Sequence, residues 1–394
     1  MVEARPGGLT RSGAVRIDAI DMMRGLVIVI MVLDHVRDFF HANPGIDPTD
    51  PLRSYPALYL TRWVTHLCAP TFVFLAGVSI LFQKANGKDP AHLSRFLLTR
   101  GLWLLFLEVT VVTFGFNFGE PFVFLQVIWA IGMGMIFMTA LAHLSPRVVL
   151  GIGIAILALY PFVVPLVEGA TGAAGVVALL ALGIGPVPGT PIFLAYAAIP
   201  WLGVMCLGFG LGPIFQLPPE QRGRRIALIA AAMLALFVLL RTLNGYGNPQ
   251  PWHSNPDMTR EAMEYFNVFK YPPSPDYVLA TLGFSLLIFL GIGHVRGRIA
   301  RVLLDFGRTP LFTYVCHIYI AHGLMLAVAA AMGKPQVAIG IFQRLFSSAA
   351  PEPWGFSLGV TYAIWALVIA ILIPLAHWFA GVKHRRRDWW LSYL

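Results

Sequence analysis

Apolar residues in this chain run in long blocks, separated by short polar and basic stretches. The blocks show neither the strict alternation of strands nor the one-sided stripe of a soluble surface helix. A bilayer core takes roughly 20 mostly apolar residues at a helical rise of about 1.5 Å each. Ten windows meet that condition: 18–40, 57–83, 96–118, 121–144, 148–167, 191–215, 226–243, 276–295, 309–332 and 357–380. They predict an all-α polytopic membrane helix bundle of about ten transmembrane helices. Residues 1–17 form an N-terminal segment, 18–380 the membrane domain and 381–394 a basic tail. Pro70 and Pro374 predict kinks, because proline removes an intrahelical donor. The stretch joining 148–167 to 191–215 is rich in Gly and Pro, which leaves open a partly re-entrant path in place of two full spans.

Composition strengthens this reading. Only 12% of residues are charged and 57% are apolar, whereas a soluble domain carries about a quarter charged residues. Lipid must therefore cover much of the surface. The net charge of +9 sits in short clusters between apolar runs, which suits anionic lipid headgroups and argues against a nucleic-acid partner. The clusters also orient the bundle. With the N-terminus inside, inner segments hold 20 of the 28 Lys and Arg residues and outer segments hold 5: Arg53, Arg260, Lys270, Lys334 and Arg344. Arg37, Arg62 and Arg241 fall within helices near the outer face. This bias predicts cytoplasmic N- and C-termini. The first apolar run is followed by no signal-peptidase pattern and is read as a retained helix. The cysteines Cys68, Cys206 and Cys316 lie far apart, with no spacing for a metal or a disulfide framework.

Ionisable residues inside a bilayer are costly and mark functional candidates. The densest group closes the first helix: Asp34, His35, Arg37, Asp38 and His41. Asp34, Arg37, Asp38 and His41 share one helical face, with His35 turned about 100° from Asp34. His35 lies about 25 Å along that helix, near its outer end. The second helix runs inward and carries Arg62 and His66 at similar depth, so both helices can line one outward-facing pocket. A structural ion pair of Asp34 or Asp38 with Arg37 or Arg62 is the competing reading, as is a packing role for His66. In the ninth helix Arg308, Tyr314, His317 and His322 run from the inner face toward mid-membrane, either lining a path to that pocket or satisfied by neighbouring carbonyls. Glu108 and Gln126 are further buried polar positions. The outer loop 244–275, with Trp252, His253, Tyr265 and Tyr271, is either a cover for the pocket or a solvated connector. No GxxxxGK[ST], GxSxG, HExxH or GxGxxG pattern occurs, which removes the main grounds for ATP-driven transport, serine hydrolysis and zinc proteolysis.

Several segments together resemble one family. They are Arg16-Ile17-Asp18 through Asp21-Met22-Met23-Arg24-Gly25-Leu26, Leu33-Asp34-His35-Val36-Arg37-Asp38-Phe39-Phe40, and Thr61-Arg62-Trp63 through Thr65-His66-Leu67-Cys68-Ala69-Pro70 to Gly77. Tyr271-Pro272-Pro273-Ser274, Gly307 to Tyr314 with His317, and the ending Trp390-Leu391-Ser392-Tyr393-Leu394 complete the set. This combination resembles the bacterial DUF1624 group of the heparan-α-glucosaminide N-acetyltransferase catalytic-domain family. The resemblance implies a multi-pass enzyme of the bacterial cytoplasmic (inner) membrane that takes an acetyl group from cytoplasmic acetyl-CoA. The acceptor it implies is the amine or hydroxyl of a sugar at the outer face, with no metal. It also implies a histidine base near the outer end of the first core helix, preceded by a polar residue. Asp34 matches the polar position. The family's histidine position is Gly45 here, which leaves His35 and His41 as the nearest candidates, with His66 as a further one. Arg37 and Arg62 are the expected oxyanion donors. Arg308, Tyr314 and His317 are the expected CoA side. A homodimer is compatible with this reading. A transporter or flippase using the same pocket, and a non-catalytic scaffold or sensor, are the alternatives.

Overall fold

The computed structural model describes residues 17–42, 47–87, 89–119, 122–341, 353–386 and 388–393. The expected N-terminal segment 1–17 lies almost wholly outside them, as do Arg5, Arg11, Arg16, Gly45, Lys88, Arg344 and Arg387.

The chain is a helical bundle. In order come α1 (Asp18–Phe40), α2 (Pro56–Thr65), α3 (Cys68–Ala85), α4 (Pro90–Leu107), a π-helical turn (Glu108–Val112), α5 (Thr113–Asn117), strand β1 (Val123–Leu125), α6 (Val127–Leu141) and α7 (Pro146–Val167). They are followed by α8 (Gly172–Leu182), β2 (Gly185–Pro186), β3 (Ile192–Leu194), α9 (Ala198–Phe215), α10 (Pro219–Leu243), α11 (Met258–Tyr265), α12 (Pro275–Ile292), α13 (Gly297–Arg308), α14 (Pro310–Ala331) and α15 (Leu358–Arg385). Among the described residues, eight helical spans are long and apolar enough to cross a membrane. Two of the ten expected windows fall short, for different reasons. Helix α1 carries Asp18, Asp21, Arg24, Asp34, Arg37 and Asp38, too many charges to face lipid, and the bundle encloses it instead. It packs against α2, α3, α12, α13, α14 and α15. Helix α6 has 15 residues, about 22 Å of rise.

Four boundaries differ from the sequence reading. Window 57–83 is interrupted at His66-Leu67. The ring of Pro70 clashes with the carbonyl four residues back and offers that carbonyl no N–H. That carbonyl belongs to His66, and it accepts instead from the Tyr277 hydroxyl at 2.9 Å. The interruption sits where Pro70 acts, one turn before the proline. Windows 121–144 and 191–215 begin as strands: β1 pairs parallel with β3 and β2 antiparallel with β3, a small three-stranded sheet. The Gly/Pro-rich connector holds the short helix α8 and strand β2. Pro374 lies within α15, which continues to Arg385, into the segment read as a tail.

Backbones approach closely where side chains are small, the means by which membrane helices gain contact without a hydrophobic drive. A methyl group on Gly25 would overlap the Leu303 carbonyl, fixing α1 on α13. Gly77 and Gly208 lie the same way against Met205 and Phe74, locking α3 to α9. Asp18 and Lys383 both reach Arg308, so the start of α1 and the end of α15 share one end of the bundle.

Candidate active site

The C-terminal half of α1 splits its polar side chains between two neighbours. Asp34 faces α2. Arg62 Nη1 donates to both its oxygens, at 2.7 and 2.6 Å. The Thr65 hydroxyl donates to Oδ1 at 2.7 Å, and Arg37 Nη1 lies 3.0 Å from the same oxygen. Arg37 Nη2 donates in turn to Asp38 at 2.5 Å. All three members of the Asp34–Arg37–Arg62 cluster are buried. A buried carboxylate survives only when its charge is met, and here Arg62 and Thr65 hydrogen-bond it while Arg37 adds a second positive charge without a hydrogen bond to it. Asp34 is therefore occupied in holding two arginines and hydrogen-bonds no imidazole among the described residues. The ion pair set out as the competing reading is present, and its members also line a cavity.

His35, one residue on, faces α14. Its Nδ1 lies 2.6 Å from His317 Nε2, with the rings 4.9 Å apart and nearly parallel. Phe116 and Tyr314 pack edge-on against it at 5.1 and 6.3 Å. His317 Nδ1 lies 3.3 Å from the Thr313 carbonyl, which only accepts. In neutral imidazole one nitrogen donates and the other accepts. His317 Nδ1 therefore carries a proton, its Nε2 accepts, and His35 Nδ1 donates. His35 Nε2 is left as the bare ring nitrogen.

Two cavities meet near this pair, named outer and inner after the orientation that the Lys and Arg residues predict. The outer one, about 300 Å³, is lined by Asp34, His35, Arg37, Asp38, Arg62, Gln126 and other residues, with Tyr196, Lys270 and Tyr271 on its far wall. The Lys270 ammonium lies over the Tyr271 and Tyr196 rings at 4.9 and 5.8 Å. Burial raises the Tyr271 phenol, but Lys270 and Arg62 bring it below its ordinary value. The inner cavity, about 420 Å³, opens among Arg24, Arg100, Arg308 and Lys383 and is otherwise mainly apolar. Met31, Phe72 and Val127 line both cavities and form the partition between them. Tyr314 reaches the inner cavity with a buried hydroxyl that has no hydrogen-bond partner among the described residues.

The expected site residues divide accordingly. Asp34, His35, Arg37 and Arg62 line the outer cavity, and Arg308 and Tyr314 line the inner one. His66 lines neither. It is buried at the α2–α3 junction, edge-on to Tyr277 at 5.4 Å, because the Pro70 interruption turns it toward α12. His41 bonds Tyr55 across 3.1 Å, away from the cavity. His317 lies against His35 and not in the inner cavity. His322 is held by the Gly115 and Ala338 carbonyls at 2.7 and 2.8 Å, between the rings of Phe39 and Phe118. Glu108 accepts the Gln126 backbone N–H, tying the π-helical turn to the base of α6. Thr65, Tyr196 and Lys270 went unrecognised as site residues. Lys270 and Tyr271 belong to the outer loop, whose aromatic content was the available signal.

A cationic cavity is thus set against a histidine-bearing one within a multi-helix membrane domain. The model of the family described as "Heparan-alpha-glucosaminide N-acetyltransferase, catalytic" matches residues 16–245, more than half of the sequence, and the chain belongs to that family. The match covers α1 to α10 and so Asp34, His35, Arg37 and Arg62; Lys270, Arg308, Tyr314 and His317 lie beyond it. No curated protein matches the chain. The family is one of transmembrane N-acetyltransferases, which makes this chain an integral membrane acyltransferase.

Proposed function

We propose that the protein moves an acetyl group from acetyl-CoA, bound from the cytoplasmic side, to the amine or hydroxyl of a sugar bound in the outer cavity. The observation that carries this is the single partition of Met31, Phe72 and Val127 between the two cavities, with His35 on its outer side. Arg24, Arg100, Arg308 and Lys383 suit CoA phosphates, through charge-assisted hydrogen bonds. The apolar inner wall of Leu104, Ile128, Ile131 and Leu311 suits the pantetheine arm. His35 Nε2 takes the proton from the acceptor N–H or O–H as that atom attacks the thioester carbonyl. Arg62 and Lys270 place positive charge where the oxyanion develops. The C–S bond then breaks, and CoA leaves as a thiol once the proton returns to sulfur. The Lys and Arg distribution supports a cytoplasmic inner cavity, and the membrane of this proposal is a bacterial inner membrane.

The test is single-turnover transfer from labelled acetyl-CoA to an amino sugar in nanodiscs, with CoA calorimetry. His35→Ala should lower the transfer rate by about 10²–10⁴-fold, the usual cost of losing a general base, with CoA affinity nearly unchanged. Arg308→Ala should weaken CoA binding with less effect on the bound-state rate. Wild-type turnover by His35→Ala would overturn the assignment. Movement of the sugar across the bilayer without acylation would return the reading to transport.

A further inference from the structure

His35 and His317 are separated by 281 intervening residues and lie on different helices, yet their ring nitrogens approach to 2.6 Å. Such a contact between two imidazoles is stable only when one nitrogen donates and the other accepts. The Thr313 carbonyl decides which, because it obliges His317 to protonate Nδ1. His317 is fully buried and does not line either cavity. It cannot touch a substrate without displacement of its neighbours, so any part it plays is exerted through His35.

We propose that His317 is the positioning residue of a histidine dyad and, resting on the acyltransferase reading, the proton partner of the catalytic base. It holds His35 with Nδ1 protonated, so that Nε2 is the lone pair offered to the acceptor. When Nε2 takes the acceptor proton, His35 becomes an imidazolium, and its Nδ1 proton is shared with His317 Nε2 across the same short contact. The charge is spread over two rings to which no carboxylate is hydrogen-bonded among the described residues: Asp34 is held by Arg62, Arg37 and Thr65, and it and Asp38 act on His35 only through space, against Arg37 and Lys270. On departure of the thiolate the proton passes to sulfur, both rings return to neutral, and the starting tautomers are restored. Atoms and charge balance over the cycle with no further reactant.

Two substitutions separate this role from packing. In His317→Gln the amide oxygen can replace Nε2 as acceptor for His35 Nδ1–H but cannot take up a proton. In His317→Phe the ring volume stays and the acceptor is lost. His317→Gln should retain the His35 tautomer with an intermediate rate. His317→Phe should lower single-turnover transfer by about 10²-fold or more, of the order of losing acid–base assistance, with unchanged CoA affinity and a displaced pH–rate profile. The tautomer is read without substrate, by ¹⁵N NMR of histidine-labelled protein with His35→Gln as the assignment control. Wild-type His35 should show Nδ1 protonated and Nε2 bare. Protonation of His35 at Nε2 in the wild type would overturn the proposal, as would a wild-type rate and pH profile in His317→Phe. A wild type with the expected tautomer and no acyl transfer would sink the acyltransferase reading and leave the dyad standing.

Discussion

The Asp34 cluster lends itself to a quantitative test. Asp34 is 7% exposed, Arg37 5% and Arg62 8%, so water screens the charges little. Asp34→Asn removes the one carboxylate that both arginines address and turns an amide N–H₂ toward one of them. Arg37 retains Asp38 at 2.5 Å, whereas among the described residues Arg62 keeps only the Tyr271 hydroxyl, at 3.5 Å. Breaking a buried ion pair from one side costs about 3–5 kcal/mol, because the remaining charge is uncompensated. Arg62→Met should cost less, about 1–3 kcal/mol, since Asp34 keeps Thr65 at 2.7 Å and Arg37 at 3.0 Å. The double variant should be more stable than the sum of the two losses implies, by a coupling of about 0.5–3 kcal/mol. The assay is equilibrium unfolding by denaturing detergent in mixed micelles, run as a double-mutant cycle. A loss below about 0.5 kcal/mol for Asp34→Asn, the size of an ordinary surface change, would refute the claim that this ion network is tightly held.

Two further outcomes follow from the architecture. Tyr277→Phe removes the hydroxyl donor to the His66 carbonyl that Pro70 strands, and should cost about 1–3 kcal/mol of stability by the same unfolding assay; an unchanged midpoint would mean that water or a backbone shift satisfies that oxygen. Reporter fusions after residues 90, 220 and 300 should read cytoplasmic, and fusions after 50 and 260 external; a cytoplasmic reading at 260 would contradict the orientation drawn from the basic residues.

Hydropathy, charge and local spacing are properties of contiguous chain, and what depends on them was legible in the sequence. The apolar windows located the membrane helices, because each span must satisfy its own backbone within one segment. The crowding of Asp34, His35, Arg37 and Asp38 on α1, with Arg62 on the next helix, marked the outer cavity, because ionised groups cannot be left facing lipid. What tertiary structure decided is which face of each helix meets which neighbour. His35 lies about 100° around α1 from Asp34, which sends one to α14 and the other to α2. The partner of the imidazole is therefore His317, and the nearby carboxylate is taken up by arginines. His66 shared the expected depth but left the cavity, because Pro70 interrupts the helix beneath it. The partition of Met31, Phe72 and Val127 draws one apolar residue from each of three helices. Nothing in their local sequence sets them apart from other core residues, because only packing of α1, α3 and α6 brings them together.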